Sequence, residues 1–491
     1  MPPPDLILVL DEGTTSTRAL VFDLAGSIVA TAARPVTQHY PASGWVEHDA
    51  AELWALSRDC LEEAAEAVGV DRITCLGLTP QRAPVVFWDR ATAEPLARAI
   101  VWQDRRGADL CTGWVAEGIE PAVQATTGLV LDPYFSASKV AWALAEWPAV
   151  ADAAADGRLA LGTVDAWLLY KLTGGAVHAT DATNASRTLL MNLATCTWDA
   201  GLAERFGVPM AALPAITDCA GALGETVLLG RRIPVTGCAG DQHAAAIGQA
   251  CLSPGMVKAT YGTGTFVLAH AGAVPPVSTH RLLATLAWRM GGVSAYALEG
   301  SIFTAGAAVQ WLRDGIGVIA SAAETEALAV SVDDSGGAVV VPAFTGMGAP
   351  HWRADVRGLI TGVTAGTTRA HLARATLEAV AHQTADLLDA LAADGVACAR
   401  LRVDGGMVAN DWLCQHLADV LGVAVERPKV IETTALGAAM LAGVGAGLFA
   451  SLAEASAMHV AERVFAPAMG AEARATGRAA WARAVRQALT V

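Results

Sequence analysis

The sequence predicts an α/β protein built from two related domains. At 491 residues the chain is too long for one hydrophobic core, and a chain of this length usually divides into about two to four domains. Apolar runs of strand length alternate with helical patterns, which is typical of an α/β fold. A strand, a Gly-Thr turn and a returning strand occur once in each half, at Gly13-Thr14 and again at Gly262-Thr263. This repeat indicates two related domains that face each other.

The composition narrows the possible functions. Hydrophobic residues make up 53% of the chain and charged residues 16%, which is enough apolar material for large cores. The net charge is −15 without a run of Lys or Arg, so a nucleic-acid-binding protein is disfavoured. Nine cysteines without a Cys-x-x-Cys pair indicate neither disulfides nor structural zinc. We therefore expect a protein of the reducing cytoplasm.

One uncharged stretch has nearly the length of a membrane helix. Residues 435–453 carry no charge, but they are rich in Gly and Ala and include Gly443, Gly445 and Gly447. We interpret this stretch as a buried helix over 435–441 followed by a glycine-rich turn. A membrane span is not expected.

The first element is an antiparallel meander with strands at 6–10, 19–22 and 28–32. Glycine in its first turn allows backbone N–H groups to converge on an anion. Asp11 lies where it could hold a magnesium ion, usually through water. An ordinary polar hairpin is the alternative, but it would leave Asp11 and Arg18 without a purpose. The turn also provides three hydroxyl donors: Thr14, Thr15 and Ser16.

The next elements bring further polar groups to strand ends. A helix over 51–67 precedes a strand over 73–78, after which Arg82 follows at the carboxyl end. A strand over 85–88 returns, and we expect Asp104 to open a helix. Trp102 could simply be a core residue, which is the commoner fate of a lone Trp. The polar, aromatic segment 127–139 suits a pocket wall better than a core element.

The central motif is a short strand at 233–235 that leads into Asp241. Glycines at 237 and 240 allow close approach of a ligand, and ligands of open α/β sheets bind at carboxyl ends of strands. Asp241 could accept a proton from a substrate hydroxyl. It could equally cap the helix that follows, since Asp is a favoured N-cap residue. This stretch alone does not separate the two interpretations.

The second half repeats the phosphate-binding pattern and adds a glycine pair. Residues 258–265 form an extended segment with a Gly-Thr turn, and a strand returns over 266–269. A strand over 401–404 turns at Gly405-Gly406 into a helix that we expect to continue to residue 421. A glycine pair at a helix N-terminus is a plausible nucleotide platform. Thr368 is predicted to cap a long helix before it.

Several motifs in register along the chain resemble one family, the FGGY carbohydrate kinases. The segments that carry the resemblance are residues 11–18, 44–49, 134–139, 180–187, 240–242, 261–264 and 404–406. Residues 297–300, 310–314 and 342–346 are similar to the glycerol kinase branch of that family. The resemblance covers almost the whole chain.

The resemblance implies a fold, a reaction and a set of roles. It implies two actin/hexokinase-like (ribonuclease H-like) domains of the α/β class, residues 1–248 and 249–491, with a cleft between them. The reaction is phosphorylation of a small polyol by ATP with Mg²⁺. Asp241 matches the catalytic base, and Asp11 and Asp241 match the metal-associated acids. The positions that match nucleotide or phosphate contacts are Thr14, Thr15, Ser16, Arg18, Gly262, Thr263, Gly306, Gln310, Gly406, Met407 and Asn410. The positions that match the polyol pocket are Arg82, Ala83, Trp102, Tyr134, Asp241, Gln242 and Phe266.

Two departures from the family pattern bear on substrate and regulation. Glycerol kinases usually have Gln-Arg-Glu where this chain has Gln81-Arg82-Ala83. A pocket carboxylate is therefore missing, and Arg82 is expected to lose a neighbouring negative charge. The short segment 228–233 replaces a glycine-rich loop that helps some members to bind fructose bisphosphate, so we do not expect that regulation.

Three interpretations of the function follow. The first is a glycerol kinase-like enzyme, and the second is a kinase for another small polyol or ketose, such as erythritol, threitol or a pentulose. The third is a non-catalytic nucleotide-binding protein of the actin superfamily, against which the presence of both Asp11 and Asp241 argues. The expected partners are a small polyol and ATP, without nucleic acid or membrane, in a homo-oligomer that is a dimer or a tetramer.

Overall fold

The computed structural model describes residues 5–353 and 355–490. The strands are β1 Leu6–Glu12, β2 Ser16–Phe22, β3 Ile28–Pro35, β4 Glu47–His48, β5 Ile73–Pro80, β6 Val86–Asp89, β7 Ala99–Ile100, β8 Leu159–Gly162, β9 Ala179–Asp181, β10 Met191–Asn192, β11 Thr197–Trp198, β12 Ala215–Thr217, β13 Ala220–Leu228, β14 Arg231–Cys238, β15 Met256–Tyr261, β16 Thr265–Gly272, β17 Leu283–Met290, β18 Val293–Ile302, β19 Val339–Val341, β20 Leu359–Thr361, β21 Arg400–Asp404, β22 Val425–Pro428 and β23 Ala461–Phe465. The helices are α1 Ala50–Val68, α2 Ala108–Ala116, α3 Glu120–Thr127, α4 Ser136–Glu146, α5 Pro148–Ala155, α6 Val164–Leu172, α7 Ala182–Ala185, α8 Ala200–Arg205, α9 Asp241–Gly248, α10 Gly306–Gln310, α11 Glu324–Val330, α12 Arg369–Ala393, α13 Asp411–Leu421, α14 Thr433–Gly445, α15 Leu452–Ala455 and α16 Ala471–Thr490.

A six-stranded mixed sheet organises the first half of the chain. Its strand order is β13-β14-β5-β1-β2-β3. β1 pairs antiparallel with β2 and parallel with β5, and β2 pairs antiparallel with β3. The predicted meander is therefore confirmed. β1, β5 and β14 all run in the same direction, so the residues that follow them meet at one edge of the sheet.

A seven-stranded sheet in the second half repeats the same local plan. Its order is β17-β18-β16-β15-β21-β22-β23. β15 pairs antiparallel with β16 and parallel with β21, as β1 does with β2 and β5. The two Gly-Thr turns, after β1 and after β15, therefore occupy equivalent places in the two sheets. This is the repeat that the sequence predicts.

Helix α14 comes from the second half but packs on the first sheet. It contacts α9 and the strands β14, β5 and β1, because it is apolar on all sides and almost entirely buried. The predicted buried helix is confirmed but continues to Gly445, so Gly443 and Gly445 lie inside it. The predicted turn follows only at residues 446–447 and contains Gly447 alone. None of the helices in the described residues is long and apolar enough to cross a bilayer.

Of three predicted helix starts, one is confirmed and two lie later in the chain than expected. The helix expected at Asp104 begins only at Ala108, because the Asp104 carboxylate is buried and accepts a hydrogen bond from the Val46 backbone at 2.6 Å. Thr368 caps α12 as predicted, in a capping box with His371. The glycine pair after β21 does not run directly into a long helix. A 3₁₀ turn over Gly406–Ala409 intervenes, and α13 then starts with Asn410 as its N-cap.

Candidate active site

Asp241 lies at the carboxyl end of β14, as the sequence predicts, but it does not cap the helix that follows. Gly240 occupies the N-cap position of α9, and Asp241 is the first helical residue. Its side chain is 31% exposed, which leaves it accessible from solvent. Asp241 is therefore not the N-cap residue, although its Oδ1 accepts a hydrogen bond from the Gln242 backbone N–H at 2.6 Å. The partly exposed carboxylate can still meet a ligand at the sheet edge.

Arg82 is the immediate neighbour of Asp241. Its Nε lies 3.1 Å from Asp241 Oδ1, and its guanidinium is 1% exposed. A Cβ atom at Gly240 would lie 2.7 Å from Arg82 Cγ. The Arg82 side chain therefore crosses directly over Gly240, and only glycine allows this approach.

Arg82 does not lack a carboxylate partner, contrary to the expectation from Ala83. Glu299 on β18 accepts hydrogen bonds from both terminal nitrogens of Arg82, at 3.1 Å to Nη2 and with a shorter contact to Nη1. It also accepts from Arg187 Nη2 at 2.9 Å. The two guanidinium groups hold the pKa of Glu299 below its usual range although the carboxylate is buried. The predicted loss of negative charge beside Arg82 is wrong, because the second half of the chain supplies it.

An aromatic wall stands beside this ion cluster. Trp102 is partly exposed and is not a core residue; its ring meets Tyr134 edge-on at 5.7 Å and Phe266 at 6.4 Å. Its Nε1 donates to Thr14 Oγ1 at 2.9 Å. Ala83 is fully buried with φ of 72°, and its carbonyl accepts from Ser136 Oγ at 3.1 Å. The methyl group of Ala83 provides no acceptor for a hydroxyl.

Two buried lysines hold residues that the sequence assigns to the polyol pocket, Tyr134 and Gln242. Lys139 donates to the carbonyls of Pro133, Tyr134 and Phe135 at 2.7, 2.6 and 3.1 Å, and so fixes the turn that presents Tyr134. Burial lowers the pKa of Lys139 to about 7. Lys258 on β15 is fully buried and donates to Gln242 Oε1. Burial also lowers the pKa of Lys258, while Asp404 and Asp241 oppose this shift.

The first phosphate-type turn carries an ion pair. Arg18 donates to Asp11 through a short contact and to Glu432, at the start of α14, at 2.6 Å. Burial raises the pKa of Asp11 to about 6, although Arg18 opposes that rise. In the turn itself, Gly13 donates to the Ser16 carbonyl and Thr15 is exposed. The hairpin is thus tied to the second half of the chain through Arg18.

A cavity of about 500 Å³ opens beside the second Gly-Thr turn. Gly306 begins α10 against this turn, and its N–H donates to the Gly262 carbonyl at 2.9 Å. A Cβ atom at Gly306 would lie 2.5 Å from that carbonyl oxygen, so glycine is required there. Seven residues predicted from the second half all line the cavity: Gly262, Thr263, Gly306, Gln310, Gly406, Met407 and Asn410.

Several residues around the site were missed from the sequence. Glu299, Arg187 and Glu432 are charged groups whose partners lie 112 to 414 positions away along the chain. Lys258 is a buried cation whose partner, Gln242, is 16 positions away. The available signal for Glu299 was that it is the one charged residue of strand β18. The missed residues of the cavity are Val309, Arg313, Ala322, Ala323, Thr325, Glu326, Leu377, Ala409 and Leu413, together with Tyr261.

The two sheets with equivalent turns, the acid at a strand end and the cavity define a two-domain kinase fold. The chain matches the N-terminal domain of the FGGY family of carbohydrate kinases over residues 6–248 and the C-terminal domain over residues 257–446. The chain belongs to this family. It is therefore an enzyme of the kinase class, which transfers a phosphoryl group to an alcohol.

The similar proteins narrow the class further. The chain is 54% identical over 488 residues to a glycerol kinase of Rhodospirillum rubrum, covering 98% of each protein. It is 55% identical over 487 residues to a glycerol kinase of Rhodospirillum centenum, covering 98% of this chain and 97% of that protein. Its fold matches a crystal structure of Plasmodium falciparum glycerol kinase with ADP, with a TM-score of 0.94, 36% identity and coverage of 99% of this chain and 98% of that one.

Proposed function

We propose that this protein transfers the γ-phosphoryl group of ATP to a hydroxyl of glycerol and forms glycerol 3-phosphate. The observation that carries the proposal is the similarity to glycerol kinases over nearly the whole chain, with both Asp11 and Asp241 present. A non-catalytic actin-like scaffold would have no use for a carboxylate poised at a strand end. The family membership of both halves also argues against that alternative.

Asp241 is the residue that we propose as the general base. Phosphoryl transfer asks the protein mainly for alignment and charge compensation. Asp241 is partly exposed beside a guanidinium, so it can accept a hydrogen bond from the acceptor hydroxyl and take its proton late in the transfer. Arg82 orients that carboxylate, and the aromatic wall of Trp102, Tyr134 and Phe266 covers the carbon chain of the polyol. Gln242, which is held by Lys258, provides a further polar contact.

ATP would occupy the cavity next to the second Gly-Thr turn. Gly406, Met407 and Asn410 would contact the nucleoside side, while Gly262 and Thr263 would approach the phosphates. The hairpin of β15 and β16 contributes to both proposed binding sites. Thr263 lines the nucleotide cavity, and Phe266, three residues later, lies at the aromatic wall of the polyol site. Thr14, Thr15, Ser16 and Arg18 would approach the phosphates from the other sheet.

Asp11 and Asp241 have donor chemistry that suits Mg²⁺. Both offer carboxylate oxygens, the ligands that this ion prefers, and their charges interact, since Asp241 contributes to the raised pKa of Asp11. A bound cation would favour the ionised form of Asp11, which burial disfavours. Bound Mg²⁺ would neutralise charge on the phosphates of ATP. Asp11 and Asp241 would hold it, with water completing its shell.

Ala83 favours a second candidate substrate class, the longer polyols. The buried methyl group leaves a substrate hydroxyl without the acceptor that glutamate would provide, and an unpaired buried hydroxyl costs about 1–3 kcal/mol. A four- or five-carbon polyol could fill the space instead. Arg82 itself does not favour the longer polyols, because Glu299 neutralises its charge.

Further proposals concern organisation and compartment. We place the division between the two domains at residues 248 and 249, with α14 crossing back to the first sheet. A homo-oligomer, a dimer or a tetramer, remains a prediction, as does the absence of regulation by fructose bisphosphate. The nine cysteines are free, which suits a reducing cytoplasm.

The experiment that tests the proposed function is an ADP-release assay across acceptors. Glycerol, erythritol, threitol, dihydroxyacetone and pentuloses are compared by kcat/KM with ATP and Mg²⁺. The proposal expects glycerol to have the highest kcat/KM. A four- or five-carbon acceptor with a higher kcat/KM would replace glycerol as the substrate. ADP release without dependence on any acceptor would overturn polyol phosphorylation.

A further inference from the structure

Glu299 connects the two halves of the chain next to the proposed acceptor site, through ion pairs with Arg82 and Arg187. It lies on β18 of the second sheet, whereas Arg82 and Arg187 belong to the first half. All three side chains are at most 1% exposed. Oε1 of Glu299 accepts from both arginines, and Oε2 accepts from Arg82 alone. The carboxylate therefore engages Arg82 through both terminal nitrogens, the geometry that fixes a guanidinium plane most firmly.

The charges of this cluster balance only when Asp241 is counted. Two guanidinium groups face the carboxylates of Glu299 and Asp241, so the four groups sum to zero. Removing one partner of a buried ion pair leaves an uncompensated charge, which is strongly unfavourable. Lys258 also lowers the pKa of Glu299, and the charge of Asp404 in turn favours the protonated form of Lys258. Loss of Glu299 would therefore leave Arg187 without its carboxylate partner and Arg82 with the carboxylate of Asp241 alone.

The orientation of Arg82 leaves one donor unused. Its two Nη atoms are bound to Glu299, and this directs the Nε edge toward Asp241. The Nε–H is buried and makes no hydrogen bond to any of the described residues, although Asp241 Oδ1 is only 3.1 Å away. An acceptor hydroxyl bound to Asp241 would bring the oxygen that this donor lacks. The bidentate contact with Glu299 keeps the donor in that direction.

We infer that Glu299 is a positioning residue for the acceptor: acting through Arg82, it holds the guanidinium so that Asp241 and a polyol hydroxyl meet in a fixed geometry. Glu299 itself does not touch the substrate, because its side chain is only 1% exposed and lies behind the two arginines that donate to it. Arg187 supports Glu299 from the other side. This inference rests on the proposed function, since it assigns Arg82 and Asp241 to a polyol acceptor.

The test compares Glu299→Gln and Glu299→Asp with a matched control, Glu426→Gln. Glu426 is also a buried carboxylate, and it is bound by Arg400, Arg402 and His459 at 3.0, 3.1 and 3.0 Å. None of these partners belongs to the proposed site. The readouts are KM for glycerol, kcat, the Kd for ADP and the midpoint of denaturant unfolding.

For Glu299→Gln we expect glycerol KM to rise about 10- to 100-fold and kcat to fall, as for a lost hydrogen bond to a charged group. The Kd for ADP should stay within about twofold, because Glu299 does not line the nucleotide cavity. Glu299→Asp keeps the negative charge on a shorter side chain, so glycerol KM should rise less than in Glu299→Gln. Glu426→Gln should lower stability and leave glycerol KM unchanged.

An unchanged glycerol KM in a folded Glu299→Gln variant would overturn the inference, as would a rise of the same size in Glu426→Gln. If Glu299→Gln does not fold, the glycerol KM of Glu299→Asp tests the inference instead, and an unchanged KM in that variant would overturn it. The wild-type enzyme separates the two proposals. If it does not turn over glycerol or another polyol, the proposed function fails; if it does and KM is unaffected by Glu299, only the positioning role fails.

Discussion

Trp102 Nε1 donates a hydrogen bond to Thr14 Oγ1 at 2.9 Å. Trp102 belongs to the aromatic wall, and Thr14 belongs to the first phosphate-type turn. The Thr14 carbonyl is held in addition by Gln38 Nε2 at 2.5 Å. The acceptor pocket and the phosphate turn are thus joined by one side-chain contact, and the orientation of the Thr14 hydroxyl depends on it.

Trp102→Phe keeps an aromatic ring but removes the N–H group. We expect kcat to fall about 3- to 10-fold, in line with the roughly 1 kcal/mol of a neutral hydrogen bond. Thr14→Ala alone should cost about 10- to 100-fold in kcat/KM, as for a lost contact with a charged phosphate. The double variant should be no worse than Thr14→Ala, because both changes remove the same interaction. Fully additive losses would show that the two residues act independently.

The second Gly-Thr turn is predicted to matter as much as the first. Thr263 is exposed at the cavity, and its carbonyl accepts from the backbone of Ala305 and Ala307 at 3.0 Å. Thr263→Ala removes only the hydroxyl and should lower kcat/KM for ATP by about 10- to 100-fold. Thr263→Ser, which keeps the hydroxyl, is the control and should retain most of the activity. An unaffected Thr263→Ala variant would mean that this turn is structural.

Ala83→Glu tests the acceptor specificity. The new carboxylate would offer the hydroxyl acceptor that Ala83 lacks, so we expect kcat/KM for glycerol to rise and that for four- and five-carbon polyols to fall. Ala83 already has a positive φ of 72°, and the backbone need not change. The measurement is kcat/KM for each acceptor, with Ala83→Gln as the uncharged control. If glycerol gains nothing, or if the wild type already has a low-micromolar KM for glycerol, another group already serves the hydroxyl.

Asp165 gives a prediction for the dependence of stability on pH. Burial and the neighbouring Asp181 raise the pKa of Asp165 to about 7 from a model-peptide value of 3.8. The folded protein therefore binds this proton more tightly than the unfolded chain, and stability is lost as pH rises from about 4 to 7. Asp165 Oδ1 has no hydrogen-bond partner among the residues that the structure describes. Asp165→Asn should thus be more stable than the wild type at pH 8, by about 1–3 kcal/mol.

The measurement is denaturant unfolding of both proteins at pH 5 and pH 8. The difference between variant and wild type should be larger at pH 8. Asp181→Asn is the comparison, because Asp181 accepts from the backbone and side chains of Thr183 and Asn184 at 2.6 to 3.2 Å. It should lose stability at both pH values, and less at pH 8, because it also removes the negative charge that raises the pKa of Asp165. An equal difference at pH 5 and 8 for Asp165→Asn would contradict the assigned protonation.

The sequence predicts the sheets and the two turns because their signals are local. An apolar strand, a glycine and a hydroxyl lie within a few residues at Thr14 and again at Thr263, and both turns have the predicted form. The residues that line the cavity could be predicted only from the family motifs, because the hydrophobic periodicity of the sequence does not indicate which residues bind a nucleotide. Helix α14 was predicted as buried, but not as a helix of the first sheet, because an all-round apolar helix carries no information about its partner.

The ion cluster could not be predicted in the same way. Glu299 is 217 positions from Arg82 and 112 from Arg187, so no spacing in the chain relates them. We expected Arg82 to lack a carboxylate partner because the adjacent residue is Ala83. This was wrong, because the partner lies far away along the chain. The capping role for Asp241 failed because Gly240 takes the N-cap position, where the Arg82 side chain passes so closely that a Cβ atom would lie 2.7 Å from Arg82 Cγ.

The central claim is that Asp241 is the catalytic base, and the kcat of Asp241→Asn tests it most directly. The substitution keeps the shape of the side chain and removes its ability to take a proton. We expect kcat to fall at least about 100-fold, in the range of a lost general base, with the Kd for ADP unchanged and the fold intact. A variant that retains more than half of the wild-type kcat would contradict the account, because Asp241 would then serve only the structure of the strand end.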